Sequence, residues 1–291
     1  MLSYLHGFHA GNAADVLKHS ALIFCLAYLK KKEKPLLCVD THAGAGFYGL
    51  SGSPGLQNSE WEQGIGRLPE EAGELPPLIS DYAGFEHKQL TDTGRYSGSP
   101  IIMAKMLVKG DRLICFELHP REFGTLKASM DEVRGEGGEK PGIETRPEDG
   151  LAGLKALLPP PSRRGLIFID PSWEEQSDYE VIPQTVQSAL RRFPEGTFII
   201  WYPLLGVPKE KPHLSVPVRD ALFGLTGGER CRIELHVKAA ENSPREMYGS
   251  GLVIYNPPWT LRRALEDSLP RLAGILGHTS WILDWDSREP A

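Results

Sequence analysis

The sequence predicts an α/β protein built on a doubly wound, mostly parallel sheet. Short, continuously apolar runs end in acidic residues, as in 36–40 (LLCVD), which is the pattern of strands buried on both faces. Helical patterns fill several of the gaps between these runs, and this alternation is typical of a parallel sheet with helices on both faces. With 41% hydrophobic and 24% charged residues among 291, the composition excludes collagen-like and disordered classes.

The first predicted element is a helix. Asn12 can cap a helix from about Ala13 to Lys32, because apolar residues recur at helical spacing and cations collect in its last turn. Pro35 then stops it. Its most apolar part, Ala21 to Leu29, is too short to span a bilayer and is not followed by a small-residue cleavage site, so we expect a buried helix and no membrane association.

Seven strands are expected, the first at 36–40. The runs that follow lie at 112–117, 143–145, 166–170, 197–202, 231–237 and 252–255, and helical patterns are clearest at 100–109, 120–133 and 178–192. About seventy residues separate the first two strands, whereas a βαβ unit needs roughly thirty in all. The Gly- and Pro-rich, acidic stretch 50–97 is therefore predicted to be an inserted, mostly helical subdomain, with 1–49 and 98–291 forming the main domain.

Charge and cysteine content limit the classes of function. The net charge of −6 excludes a pervasively basic nucleic-acid coat, although residues 1–35 carry a net +3, so we expect a polyanion to approach the N-terminal end. The four cysteines lie far apart and form no C-x-x-C pair. This spacing argues against a zinc ribbon or a disulfide framework and favours a reducing cytoplasm.

Polar and glycine residues follow the first three predicted strands. The loop after Asp40 contains Gly44 and Gly46, whose backbone can approach a ligand, and Glu117 is placed to accept the hydroxyl hydrogens of a ribose. Asp149 and Gly150 offer an acid and an open backbone to an adenine edge. Together they favour a nucleoside site. Each alone is also compatible with an ordinary turn or helix cap, and the glycine loop lacks the third glycine of a dinucleotide fingerprint.

The most specific chemical signal follows the fourth strand. Asp170-Pro171-Ser172-Trp173 resembles the (D/N/S)-P-P-(Y/F/W) motif of amino-methyltransferases that use S-adenosylmethionine. The exocyclic amine of adenine is a poor nucleophile because its lone pair is delocalised, so Asp170 and the Pro171 carbonyl would accept its hydrogens and aim the lone pair. Trp173 offers a face on which an extruded base can stack. The alternative is a surface turn.

A second run, 256–259 (NPPW), fits the same consensus more closely. It follows the seventh strand, which runs antiparallel in the methyltransferase fold, so it would emerge at the edge opposite the glycine loop. We therefore interpret it as a turn that ends a strand, with Trp259 packing on the core.

Several motifs together resemble the RlmJ family, whose members methylate an adenine N6 of 23S ribosomal RNA. They are Ser3-Tyr4, 8–12 (FHAGN), 14–19 (ADVLKH), 40–46 (DTHAGAG), 98–100 (GSP), 117–120 (ELHP) and 201–203 (WYP), and they span nearly the whole chain. The resemblance implies a Rossmann-like class I S-adenosylmethionine-dependent methyltransferase sheet with a small helical insertion, in agreement with the seventy-residue gap.

The resemblance also implies site residues. Those that would line the S-adenosylmethionine site are His19, His42, Ser99, Glu117, Asp149, Gly150 and Asp170, to which the glycine loop adds Gly44. Tyr4, His6 and Lys18 would serve the substrate or the chemistry, Lys18 as a cation for phosphate or the cofactor carboxylate. One departure is that Ser172 and Trp173 stand where the family has proline and tyrosine, and serine removes a rigid φ angle from the loop.

The sequence thus predicts a cytoplasmic enzyme that methylates an adenine N6 of free or partly assembled 23S ribosomal RNA, with the target base extruded. Two other functions stay open, a DNA adenine-N6 methyltransferase and an inactive RNA- or nucleotide-binding module. Residues His6, His9, Asp15, His19 and His42 also allow a metal site. Their spacing lacks an H-E-x-x-H pattern, so no metal is expected.

Overall fold

A computed structural model describes residue 7 and residues 9–50, 60–69, 75–205, 215–237, 247–277 and 280–287. The strands within these ranges are β1 (Leu37–Asp40), β2 (Phe47–Gly49), β3 (Arg95–Ser97), β4 (Arg112–Phe116), β5 (Gly142–Arg146), β6 (Gly165–Ile169), β7 (Thr197–Leu205), β8 (Arg230–His236), β9 (Met247–Tyr255) and β10 (Ser280–Asp286). The α-helices are α1 (Ala13–Leu29), α2 (Pro77–Thr93), α3 (Ser99–Met106), α4 (Pro120–Gly135), α5 (Gly150–Leu157), α6 (Asp178–Arg192), α7 (Ser215–Gly224) and α8 (Leu261–Leu276). Two 3₁₀ helices span Glu60–Gln63 and Ile65–Arg67.

The main sheet has the strand order β10-β8-β9-β7-β6-β1-β4-β5. Strands β7, β6, β1, β4 and β5 are parallel, whereas β9 is antiparallel to β7 and to β8, and β10 is antiparallel to β8. This confirms the predicted doubly wound, parallel-rich sheet, and each of the seven expected strands is present. Strand β10 and the short antiparallel pair of β2 and β3 are not predicted from the sequence, because none of them shows the continuous apolar run of the central strands.

Helices cover both faces of the sheet. One apolar cluster contains buried residues of α1, α2, α3, α4 and α8, and a second contains those of α5, α6 and α7. The central strands are buried along their length, as β1 and β6 show. Among the helices within the described ranges, none has the length and apolarity that crossing a membrane requires.

Helix α1 begins where the sequence predicts it and ends three residues early. The Asn12 side chain accepts a hydrogen bond from the Asp15 backbone N–H at 3.0 Å and so caps the helix. At the other end, the Arg164 guanidinium donates to the carbonyls of Leu29, Lys32 and Lys34. These contacts hold residues 30–34 outside the helix, which the periodicity of the sequence alone does not reveal.

The run 256–259 lies at the sheet edge opposite the end of β6, as predicted, because β9 is antiparallel. The expectation that Trp259 packs on the core is wrong, since its side chain is 76% exposed. The Asn256 amide donates to the carbonyls of Pro194 and Gly196, both at 2.7 Å, and this closes the turn without the indole. Leu261, which is fully buried, fills the core beside the turn instead.

The described part of the predicted insertion contains the two 3₁₀ helices, α2 and β3. Buried residues of α2, among them Leu78, Ile79 and Tyr82, belong to the same apolar cluster as α1. The division of the chain at residues 50 and 97 into separate domains stays a prediction.

Candidate active site

A cavity of about 290 Å³ opens at the carboxyl edge of the parallel strands. Residues that follow β1, β4, β5 and β6 meet there because parallel strands end at the same edge of a sheet. The predicted site residues on its wall are His19, His42, Gly44, Ser99, Glu117, Asp149, Gly150, Asp170 and Pro171. The structure therefore brings together nine residues that are far apart in the sequence.

The glycine loop after β1 is fixed by two hydrogen bonds. The Gly44 N–H donates to Oε2 of Glu117 at 2.8 Å, and the Ala45 N–H donates to the Tyr48 hydroxyl at 2.9 Å. Gly44 has φ of +61°, and a Cβ there would lie 2.2 Å from the Tyr48 oxygen. Only glycine fits this position without moving the loop.

Glu117 holds the loop and still faces the cavity. Its Oε1 accepts the His119 N–H at 2.7 Å, so each carboxylate oxygen has one backbone donor. Each oxygen has a second lone pair and can accept a ligand hydroxyl, as predicted for a ribose. Removal from water raises the pKa of Glu117 above its usual value.

Asp40 is a fully buried carboxyl directly beneath this wall, and the sequence analysis did not select it as a site residue. Its Oδ2 accepts the Ser99 hydroxyl hydrogen at 2.7 Å, and its Oδ1 accepts the His42 N–H at 3.3 Å. Burial raises the pKa of Asp40 to about 7. The sequence contains a signal for this role, because Asp40 ends a buried apolar run.

Two of the three histidines on the described cavity wall, His19 and His42, contact neighbouring hydroxyl groups. Loss of hydration lowers the pKa of His42 to about 4, so its ring is neutral at pH 7. The Thr41 hydroxyl donates to the Phe168 carbonyl, so it accepts from Nδ1 of His42 at 2.8 Å and leaves Nε2 as an acceptor. Nδ1 of His19 lies 2.8 Å from the Tyr96 hydroxyl.

Asp149 and Gly150 form the start of α5. Oδ1 of Asp149 accepts the N–H groups of Leu151 and Ala152 and caps the helix. A Cβ on Gly150 would lie 2.3 Å from the Thr41 carbonyl oxygen, so the backbone of α5 touches the loop after β1. This close contact explains why glycine stands at that position.

Lys18 reaches the site from α1. Its Nζ lies 2.7 Å from Oδ2 of Asp170 and 2.8 Å from Oδ1 of Asp15, and it faces the Trp201 ring at 5.0 Å from the centroid. Burial alone would lower the pKa of Lys18, but the charges of Asp15 and Asp170 and their hydrogen bonds raise it above its usual value. Lys18 is 3% exposed, and two carboxylates lie within hydrogen-bond distance of its Nζ. Its contact with phosphate or with the cofactor carboxylate stays a prediction.

Trp173 does not lie where its predicted stacking role would place it, and Trp201 lines the cavity. Trp173 is 5% exposed and is absent from the described cavity wall; its Nε1–H donates to the Trp201 carbonyl at 3.2 Å and its ring packs on Tyr179. Its φ of +57° is strained for a bulky residue, and these contacts hold it there. A stacking role for Trp173 would require the ring to leave this position. Trp201, which sequence analysis did not select, lines the cavity instead.

Among the described residues near the N-terminus, His9 has a different partner from those of His19 and His42. Tyr4 and His6 lie outside the described residues. Nδ1 of His9 pairs with Glu60 at 3.0 Å, away from His19 and His42, whose partners are hydroxyl groups. Over the ranges that the structure describes, no three His, Cys, Asp or Glu residues are arranged to hold a metal ion.

Comparison with known proteins identifies the family. A model of the family described as "Ribosomal RNA large subunit methyltransferase D, RlmJ" matches residues 33–287. The chain belongs to the RlmJ family. Two curated proteins named "Ribosomal RNA large subunit methyltransferase J" are similar to it, from Haemophilus influenzae (37% identity over 99% of this chain and 100% of that protein) and Escherichia coli (35% identity, 97% and 99%).

The crystal structure of a Legionella pneumophila protein is also similar, with 34% identity and a TM-score of 0.81 over 96% of this chain and 98% of that chain. Membership of the RlmJ family confirms the resemblance seen in the motifs. Together with the strand order, it also confirms the predicted Rossmann-like methyltransferase fold. The chain is therefore a methyltransferase of the RlmJ family.

Proposed function

We propose that this chain methylates the N6 amine of an adenine in 23S ribosomal RNA, with S-adenosylmethionine as methyl donor. The observation that carries the proposal is the position of Asp170, which directly follows β6 and lines the same cavity as Glu117 and the glycine loop. An amine-orienting carboxylate and a nucleoside site thus open into one space. The names of the two curated relatives support an RNA of the large ribosomal subunit as substrate.

The residues on the cavity wall fit the donor's chemistry. S-adenosylmethionine is a nucleoside that carries an ammonium, a carboxylate and a sulfonium with an activated methyl group. Eight residues on the described wall are acidic and none is a lysine or arginine; the acidic residues are Glu117, Glu122, Glu148, Asp149, Asp170, Glu174, Glu175 and Asp178. This negative wall attracts a cationic ligand. Glu117 would bind the ribose, and Gly44 and Gly150 would let the backbone approach the ligand closely.

Asp170 would act on the acceptor amine. Its carboxylate and the Pro171 carbonyl each accept one amino hydrogen, which turns the nitrogen lone pair toward the methyl carbon. As the nitrogen would bond to the methyl carbon, the carbon–sulfur bond of the donor would break and leave a neutral thioether. The nitrogen then gains positive charge, which the nearby carboxylate would stabilise. The amine becomes acidic only at this stage, so Asp170 or water accepts the proton afterwards. Lys18 keeps Asp170 in place through Oδ2.

The acceptor base would be presented unstacked. Adenine in a loop or single strand reaches a closed cavity at lower cost than a paired base, and the carboxylate-rich wall disfavours phosphate groups. We propose that the RNA is free or partly assembled and that the enzyme acts in the cytoplasm. The four cysteines, which are buried and free, agree with that location.

Methyl transfer to purified 23S RNA, followed by nucleoside mass spectrometry, tests the proposal. We expect one N6-methyladenosine per RNA, and Asp170→Asn lowers the rate about 100-fold or more, since a positioned proton acceptor contributes roughly 10²–10⁴. Asp131→Asn, an exposed residue of α4, is the control and keeps full activity. Methylation of duplex DNA but not RNA would favour the DNA enzyme, and RNA binding without transfer would favour the inactive module.

A further inference from the structure

Asp15 is a fully buried carboxylate that the proposed reaction does not use directly. It lies in the first turn of α1, where its Oδ2 accepts the Gly11 N–H at 2.8 Å. Its Oδ1 lies 2.8 Å from Nζ of Lys18. Asp15 therefore joins the segment before α1 to the lysine that contacts Asp170.

The Lys18 ammonium is shared by two carboxylates. Asp15 and Asp170 lie at nearly equal distances from Nζ, 2.8 and 2.7 Å, and the Trp201 ring covers a further side. In the part of the chain that the structure describes, the Asp170 carboxylate makes its hydrogen bond through Oδ2. The other oxygen is thus not used by Lys18, and it is the one that can meet a substrate amine.

We propose that Asp15 is a positioning residue for Asp170 and acts through Lys18. This inference rests on the proposed function, because Asp170 is the group whose basicity and position are at stake. Asp15 shares the Lys18 ammonium with Asp170, so the lysine charge is not paired with Asp170 alone. It also fixes Nζ, which holds Oδ2 of Asp170 and leaves the second oxygen toward the cavity.

Other charged groups around this cluster define its electrostatic setting. Those that interact with Asp15 from neighbouring elements are His9, Glu60, Tyr82, Glu86 and Tyr96, and those that interact with Asp170 are Asp40 and His42. Lys18 lies within hydrogen-bond distance of both Asp15 and Asp170. Removing the Asp15 charge therefore acts on Asp170 chiefly through Lys18.

Asp15→Asn is the informative variant because it keeps the shape of the side chain and an oxygen for the Gly11 N–H. We expect kcat for RNA methylation to fall about tenfold, with KM for the donor nearly unchanged. Loss of the negative charge strengthens the pull of Lys18 on Asp170, so the acid limb of the pH–rate profile moves to lower pH. A purely structural role for Asp15 would lower kcat without moving that limb, and this result would overturn the inference.

Asp111→Asn is the matched control. Asp111 is also buried, pairs with Lys30 and accepts the Leu36 N–H, but it lies at the opposite edge of the sheet. We therefore expect Asp111→Asn to lower the free energy of unfolding without moving the acid limb of the pH–rate profile. In the background of Lys18→Met, Asp15→Asn produces little further loss of rate; an additive tenfold loss would contradict coupling through the lysine.

A measurement without turnover separates this inference from the proposed function. The carboxyl carbon of Asp170, assigned in ¹³C-labelled protein by comparison with Asp170→Asn, is titrated by NMR. In Asp15→Asn its midpoint moves to lower pH, and an unchanged midpoint overturns the inference whether or not the wild-type protein methylates RNA. Absence of methyl transfer by the wild-type chain, with the midpoint shifted, would instead count against the proposed function alone.

Discussion

At the scale of single residues, the site is defined by carboxyl groups that the fold has removed from water. Asp40 shows the effect most clearly, because its two oxygens accept hydrogen bonds from Ser99 and His42 while burial raises its pKa to about 7. Between pH 4 and 7 the unfolded chain ionises Asp40 and the folded chain does not. The unfolded state then binds fewer protons, so stability falls as the pH rises through this window.

Asp40→Asn removes this dependence, since asparagine keeps the shape of the neutral acid. We expect the free energy of unfolding of the wild type, relative to the variant, to fall by about 4 kcal/mol between pH 4 and 7 and to stay level above pH 7. Urea unfolding of both proteins across pH 4–9 measures it. A difference that does not change with pH would show that Asp40 is charged when folded.

Trp173 and Trp201 show that a sequence motif does not fix the orientation of its side chains. The motif after β6 draws attention to Trp173, yet a hydrogen bond to the Trp201 carbonyl and packing on Tyr179 bury its ring. Trp201 belongs to the motif 201–203 but is not among the predicted site residues, and it lines the cavity. A motif gives the order of residues along a loop, whereas the rotation of each side chain depends on neighbours that are distant in sequence.

At the scale of elements, the cavity depends on how closely α5 approaches the loop after β1. Gly150 starts α5, and a Cβ there would lie 2.3 Å from the carbonyl oxygen of Thr41 and 2.6 Å from its Cα. Backbone atoms cannot rotate away from this contact as a flexible side chain could. The start of the helix and the loop are therefore in contact only because position 150 carries no side chain.

Gly150→Ala forces these two elements apart. We expect the free energy of unfolding to fall by about 1–3 kcal/mol, the usual cost of overpacking, and donor affinity to fall with it because both elements line the cavity. Denaturant unfolding and calorimetric titration with S-adenosylmethionine measure the two effects. Gly124→Ala in the exposed part of α4, where a Cβ meets nothing within 4 Å, is the control and gains roughly 0.5–1 kcal/mol from helix propensity.

At the scale of the whole molecule, the cations of the N-terminal region do not form one surface. Lys18 is buried against Asp15 and Asp170 at the carboxyl edge of the sheet, whereas Lys30 pairs with Asp111 at the amino edge. Twelve helical residues, roughly 18 Å, separate them. The fold thus divides the charge of these two lysines between opposite edges, and the approach of a polyanion to the N-terminal end stays a prediction.

A restricted set of phosphate contacts implies that RNA binding depends weakly on salt. We expect the slope of log affinity against log salt concentration to match no more than about four phosphate contacts; the slope for ten would contradict it. Replacing Lys31, Lys32 and Lys34 by glutamine leaves the slope unchanged, because these residues lie at the edge opposite the cavity. Filter binding of 23S RNA fragments at several salt concentrations gives the slope for both proteins.

The sequence by itself determined the order of the central strands along the chain, the start of α1 and nine residues of the cavity wall. It could do so because apolar runs, a capping residue and the residue at a strand end are local signals, and parallel strands bring their carboxyl ends to one edge. The three-dimensional fold decided the rest: the sharing of Lys18 by two carboxylates, the burial of Trp173 and the exposure of Trp259. Each of these depends on contacts between segments far apart in sequence, which no local pattern encodes.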